Sequence, residues 1–249
     1  AATTPEVDVQ AADKVRHQIW VLSDPFRLQT LTGLFDELGE LYIADGHHRS
    51  AAASRVAAKR RSGAAKVGED QAQDYFLAVA FPQDQMQILA YNRLVRDLHG
   101  QTKTEFLDRL GLRFQITCLN QPGPLERTGE FGMYLGGEWY RLRLDPGRIP
   151  WDDPVSRLDV SLLANELIEP LLGIRDQRRD DRIDFVGGIR GLAELQRRVD
   201  TGDWAVAFAL RPTSMEDLMA VADAGEIMPP KSTWFEPKLA DGLVSHLLD

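Results

Sequence analysis

The chain has a single cysteine, Cys118, among 249 residues. One thiol excludes an intrachain disulfide and any cysteine-rich zinc site, and such sparing use fits a reducing cytoplasm. No apolar run approaches the roughly 20 residues that a membrane-spanning helix requires. Positive charge is also short: 29 Lys and Arg stand against 38 Asp and Glu, for a formal net charge of -9. A surface of that balance repels nucleic acid and anionic lipid, which argues against a DNA partner. The Walker motif GxxxxGKS/T, the Rossmann GxGxxG and the zinc motif HExxH are all missing. The opening AATTPEVDVQAADK has neither a basic nor an apolar signal region and no initiator Met. It reads as no secretory leader, and the expectation is the C-terminal part of a longer cytoplasmic chain.

What is there fits a globular protein, with 43% hydrophobic and 27% charged residues. The length suggests one large domain or two small ones. We expect one compact α+β unit over residues 1–249, with a subdivision at 1–100 and 101–249. Val15–Leu22 reads as a strand, and Asp24-Pro25 supplies an N-cap and a first-turn proline for a helix whose apolar residues run from Phe26 to Leu38. Leu41–Ala44 is a short strand candidate, followed by the turn Asp45-Gly46 and an Ala-rich helix from His47 to Arg61. Ser62–Gln73 reads as a loop. Tyr75–Phe81 and Met86–Val95 flank PQDQ as a hairpin.

Further on, Thr102–Leu112 reads as a helix, Arg113–Leu119 as a strand, and Phe131–Leu135 with Glu138–Leu144 as a hairpin turning at Gly136-Gly137. A densely apolar helix follows from Ser156, with Glu166 and Glu169 on its solvated edge. Ile183–Val186 is a strand, Gly191–Val199 a helix, Trp204–Leu210 a strand covered on both faces, and Ser214–Ala224 a helix. Strands and helices interleave throughout, as in a mixed α/β or α+β fold.

The segment LYIADGHHRSAAASRVAAKRR carries the strongest chemical signal. A strand that ends in Asp-Gly and opens onto a helix presents free N–H groups and the positive end of the helix dipole, which together favour an anion. His47, His48 and Arg49 in the first turn oppose that dipole, and an anionic ligand removes the conflict. The bland alternative packs one His on the core and leaves the other and Arg49 in solvent. Residues at i and i+1 diverge on a helix, so a dedicated zinc site is not indicated, while Asp45 is a candidate ligand for Mg2+ arriving with phosphates. A second unusual stretch is MPPKSTWFEPK, where Lys231, Ser232 and Thr233 offer an ammonium and two hydroxyls suited to a phosphate or carboxylate, or else form an ordinary turn. Asn92 and Arg93, within a strand, are weaker substrate-binding candidates. GGIRG, Gly187–Gly191, is a weak phosphate-loop signal.

YIADGHHR together with MPPKSTWFEPKLADGL resembles a bacterial and archaeal family long labelled a domain of unknown function, whose best understood relatives are free L-serine kinases. LGIRD, FVGGIRGLAEL and WAVAFALRPTSMEDLMAVADAGE resemble it too. The resemblance implies a fold similar to the ParB and sulfiredoxin group, with added hairpins and helices. There a Gly-x-x-Arg turn at a helix N-terminus holds nucleotide phosphates, the role it assigns to Gly46, His47, His48 and Arg49, with Ser50 beside them. Sulfiredoxins carry a reactive cysteine where this chain has His47, which argues against sulfinate reduction. Members also carry a substantial N-terminal segment before the region that matches here.

The resulting expectation is a cytoplasmic phosphotransferase that uses ADP or ATP with Mg2+ and phosphorylates free serine or a similar small hydroxyl compound. Asp45, His47 and His48 are its expected catalytic residues; Gly46, Arg49, Ser50, Lys231, Ser232 and Thr233 its phosphate-binding set. An alternative is a ParB-like nucleotide-gated regulator that binds DNA or protein, motivated by the basic cluster Arg55, Lys59, Arg60 and Arg61. A third is a metabolite sensor without turnover.

Overall fold

The structure is a computed structural model and describes residues 4–63 and 71–248. Strands and helices interleave in a mixed α+β fold built around a six-stranded antiparallel sheet. The chain divides into two compact units, Ala1–Phe81 with Pro237–Asp249 and Pro82–Glu236. No helix among the described residues is long and apolar enough to cross a membrane.

In the first unit, β1 (Val7–Gln10) and β2 (Arg16–Ile19) form an antiparallel ribbon with Val7 opposite Ile19. Helix α1 (Pro25–Asp36) starts where the sequence says it should: the Asp24 side chain accepts from the Arg27 N–H, and Pro25 occupies the first turn, where its missing N–H costs nothing. Helix α2 spans His47–Gly63. Two expected strands do not form. Residues 41–44 and 75–81 carry no ladder, and so Tyr75–Phe81 makes no hairpin with Met86–Val95. Strand propensity alone fixes no strand, because the backbone N–H and C=O groups need a partner at the right register. The expected loop at Ser62–Gln73 falls mostly on residues outside those described.

In the second unit, the would-be hairpin strand is instead split at Ala90. Its first half, β3 (Gln87–Leu89), pairs with the distant β10 (Trp234–Glu236). Its second half, β4 (Tyr91–Val95), joins a sheet with β5 (Phe114–Leu119), β6 (Glu130–Leu135), β7 (Glu138–Leu144), β8 (Ile183–Gly187) and β9 (Val206–Ala209). The sheet order is β5-β7-β6-β9-β4-β8, and every neighbour pair is antiparallel. The β6–β7 turn uses Gly136 and Gly137 at φ +58° and +83°, as a two-residue hairpin demands.

Both faces of this sheet are covered, which is why β9 is buried along its whole length. One face receives α3 (Lys103–Leu110), capped by the reciprocal Thr102–Glu105 box, and the apolar run α4 (Asp159–Leu163), a π-helical turn (Ala164–Ile168) and α5 (Glu169–Leu172). Phe106, Phe131, Met133, Leu142 and Phe208 are fully buried there, each contributing on the order of 1.5–3 kcal/mol of transfer free energy. The other face packs Leu94, Tyr134, Trp139 and Ala207 against Leu195 and Val199 of α6 (Gly191–Asp200). Helix α7 (Met215–Asp223) buries Leu218 and Val221. Glu166 corrects an expectation: it is not a solvated edge residue but accepts ion pairs from Arg113 at 3.0 Å and Arg148 at 2.8 Å, with 17% of its side chain exposed. Both arginines reach the same Oε2, and their charges offset the cost of covering the carboxylate.

Candidate functional site

The Asp45–Arg49 turn is built by local geometry. Gly46 has φ +86°, and a Cβ there would come within 3.1 Å of the Arg49 guanidinium, so only glycine fits without strain. The Arg49 side chain thus folds back over the turn. The Asp45 Oδ1 accepts from the Gly46 N–H at 2.7 Å, and the Ser50 N–H and hydroxyl both donate to the Gly46 carbonyl, at 3.0 and 3.2 Å. The N–H groups of His47, His48 and Arg49 open α2 and, like those of any first turn, have no intrahelical acceptor. The two imidazole rings lie 4.1 Å apart, tilted at 49°. All three side chains are exposed.

A cation that sequence reasoning passed over completes the turn. Lys238 Nζ donates to Asp45 Oδ2 at 3.0 Å. Lys238 closes MPPKSTWFEPK, so the first motif and the end of the second meet here. Partial burial pushes the Asp45 carboxyl up. The bonds from Lys238 and the Gly46 N–H, with the charges of Lys238 and Arg49, outweigh that and hold it below the ordinary carboxylate range. The clue was present, since Lys238 is the second lysine of a motif already singled out, but its partner lies 193 residues away.

The remaining candidates belong to the second unit. Asn92 and Arg93 are both 2% exposed. The Asn92 carboxamide oxygen accepts from the Leu210 N–H at 3.0 Å, fastening β4 to the end of β9. Arg93 donates to the carbonyls of Tyr91 and Lys231, and its guanidinium lies 4.8 Å from the Phe185 ring centroid. Burial pushes the Arg93 guanidinium down to about 9, against a small upward pull from Tyr91. It stays charged at neutral pH and is held by carbonyls and an aromatic face. Lys231 is left-handed at φ +56°, and its ammonium stands 5.5 Å from the Tyr91 ring centroid. Ser232 is 3% exposed, and its carbonyl accepts from the Thr213 hydroxyl. Thr233 is half-buried.

GGIRG has a packing reason. A Cβ on Gly187 would come 2.6 Å from the Trp234 ring, and one on Gly188 would come 2.9 Å from the Ala90 carbonyl oxygen. Among the described residues, no group of three or more His, Cys, Asp or Glu is arranged to hold a metal ion.

Residues 1–161, about two thirds of the chain, match the family model described as a protein of unknown function, DUF1015. The chain belongs to the DUF1015 family. The match contains the Asp45–Arg49 turn and ends before Met228. No curated protein matches in sequence. Among solved structures, free serine kinase in complex with AMP is 18% identical, with a TM-score of 0.37 over 78% of this chain and 66% of that one. A mutant of free serine kinase in complex with ADP is 20% identical, with a TM-score of 0.35 and the same coverage. A conserved hypothetical protein from Pyrococcus furiosus is 15% identical, with a TM-score of 0.42 over 84% of this chain and 81% of that one. The DUF1015 chain thus spans just under two thirds of the kinase's length.

Proposed function

We propose that the Asp45–Arg49 turn binds the phosphates of ADP or ATP, and that this DUF1015 chain transfers a phosphoryl group to the hydroxyl of free serine or a similar small metabolite. The observation that carries the reading is the meeting of Asp45, Arg49 and Lys238. One carboxylate and two cations gather where a helix opens, and both motifs behind the family resemblance contribute.

Phosphoryl transfer asks for cations on the equatorial oxygens and a group that orients the attacking hydroxyl. Arg49 and Lys238 supply the cations, the first-turn N–H groups of α2 supply fixed donors, and His47 and His48 add donors at the terminal phosphate. Asp45 orients the hydroxyl and takes its proton. A carboxyl held low is a weak base, but a loose transition state needs positioning more than base strength. The acceptor oxygen bonds the terminal phosphorus as the bond to the donor breaks, leaving AMP from ADP or ADP from ATP. Lys231, Ser232 and Thr233 are assigned to a second anion-binding turn with Lys231 its charged member, and Asn92 and Arg93 to its support. The donor set fits magnesium only as a guest of the nucleotide: Asp45 is the carboxylate at this turn that would hold it, the other ligands having to come from phosphate and water. When bound, it would neutralise charge on the phosphates.

Incubating the chain with ADP or ATP, Mg2+ and a panel of amino acids should give phosphoserine and an equal amount of AMP or ADP by 31P NMR. Arg49→Ala should weaken nucleotide binding at least about tenfold by calorimetry. No nucleotide binding and no product would sink the reading. A regulator that binds DNA is the outcome if nucleotide binds, nothing turns over and DNA shifts in a salt-sensitive way. Against it, Arg61 of the basic cluster is already paired with Asp74, and Arg60 donates to the Leu248 carbonyl.

A further inference from the structure

An open cleft of about 920 Å³ lies in the second unit at the C-terminal end of α5. We propose that it binds a compact anion carrying two or more linked phosphates, independently of the turn at Asp45–Arg49. Two departures from ordinary backbone border it. Residues 164–168 form a π-helical turn, a rare geometry that recurs at functional sites. His99 has φ +56°, which residues other than glycine seldom adopt. Gly173, at φ +70°, leaves the imidazole its seat, because a Cβ there would come 2.8 Å from His99 Cε1.

His99, Arg109, Arg113 and Arg175 all line the cleft. They are anchored along one short stretch of chain. Arg113 Nη1 donates to Glu166 Oε2 at 3.0 Å and Arg109 Nη2 to the Pro170 carbonyl at 3.3 Å, the His99 ring lies on Gly173, and Arg175 follows two residues later. Pro170 and Gly173 are three residues apart, about 4.5 Å along a helix axis, so these groups gather at one turn. Solvent reaches every one of them: the Arg175 side chain is 89% exposed, that of Arg113 30%, and His99 and Arg109 are exposed residues.

Helix capping uses only part of this charge. The C-terminal pole of a helix amounts to roughly half a negative charge. Its carbonyls are already taken, Pro170 by Arg109, Leu171 by Gln101, and Leu172 and Gly173 by Arg182. Arg109 otherwise donates to the Gln101 amide oxygen at 2.8 Å, and no carboxylate among the described residues pairs with it. Glu166 is shared by Arg113 and Arg148, and Glu169, on the wall, stands 3.9 Å from Arg175. The cleft therefore keeps surplus positive charge in a chain of net charge -9. In open water a single ion pair is worth little, so a ligand must meet several guanidiniums at once. Linked phosphates do so, each offering oxygens that match the arginine fork. A nucleobase would find no Phe, Tyr or Trp on these walls to stack on.

The test is an NMR titration of the 15N-labelled full chain with tripolyphosphate in the absence of magnesium. The amide signals of His99, Gly100, Gly173 and Arg175 should shift saturably below about 1 mM. Orthophosphate, and tripolyphosphate with Arg175→Glu, should each bind at least about tenfold more weakly. The exposure of Arg175 leaves the fold of that variant intact. Arg49→Ala should leave these four shifts unchanged. No saturable shift at these amides would overturn the proposal, as would undiminished binding in Arg175→Glu or loss of the shifts in Arg49→Ala. Equal affinity for orthophosphate or for citrate would overturn the choice of linked phosphates.

Discussion

Helix α1 carries Phe26, Leu31, Leu34 and Phe35 at helical spacing and exposes all of them, whereas α6 buries Leu195 and Val199 on the sheet. The same amphipathic grammar produces a helix in both cases. Burial is a separate matter, decided by whether another apolar surface lies opposite. The contrast extends to the whole of each unit. Among the described residues of the first, only Gln73 is buried, while the second holds two continuous apolar clusters on the two faces of its sheet. The first unit relies on a capped helix, a two-stranded ribbon and exposed ion pairs such as Arg61–Asp74 and Lys238–Asp45. Such interactions are individually weak. The candidate phosphate turn thus sits where local opening costs least, the region from which ligand-ordered segments are commonly drawn.

Hydrogen exchange gives the widest test of this contrast. Amides of β6 and β9 should exchange near the rate of global unfolding, and those of α1 and α2 at least about 10³-fold faster. Equal protection of α1 and β9 would break the comparison. A pair of truncations should give the next largest effect, read by urea unfolding. Phe131→Ala, at a fully buried site, should cost about 3–5 kcal/mol, and Phe26→Ala, at a site 77% exposed, less than about 0.5 kcal/mol.

Glu130→Gln should cost about 2 kcal/mol at neutral pH, because Glu130 accepts from the N–H groups of Glu126 and Arg127 and from Arg143 at 2.7 Å. Burial pushes the Glu130 carboxyl up, but those bonds outweigh it and hold the group below its ordinary value. Its contribution is therefore complete above the ordinary carboxylate range and disappears as pH falls through the lowered value. The variant should show a flatter acid limb in a stability-against-pH profile. The smallest change in stability, under about 0.5 kcal/mol, is expected for Lys238→Ala, whose partner is half exposed. Nucleotide affinity should nonetheless fall about tenfold by calorimetry. A large stability loss with unchanged affinity would move Lys238 from ligand binding to architecture.

Local signals in the sequence were reliable guides. The Asp24 cap, the Gly136-Gly137 turn and the uninterrupted apolar β9 each encode their element within a few residues, and each is found where expected. What the sequence hid was pairing across long separations. Nothing near Gln87–Leu89 names Trp234–Glu236 as its ladder partner, and the adjacent Tyr75–Phe81 was the more obvious choice. Glu166 misled for a related reason: its two arginines lie 53 and 18 residues away in the chain. Of the candidate site, the DGHHR turn was legible because Asp-Gly followed by a helix is a local device. Lys238 was not, because its role comes from a contact that no spacing rule describes.

The Trp234 ring resting on Gly187 ties two distant stretches of this chain into one inheritance unit. A relative that gains a side chain at position 187 loses the platform under position 234, and with it the seating of β10 on β3. In any relative that keeps both stretches these two positions should therefore change together, a larger residue at the first accompanying a smaller one at the second.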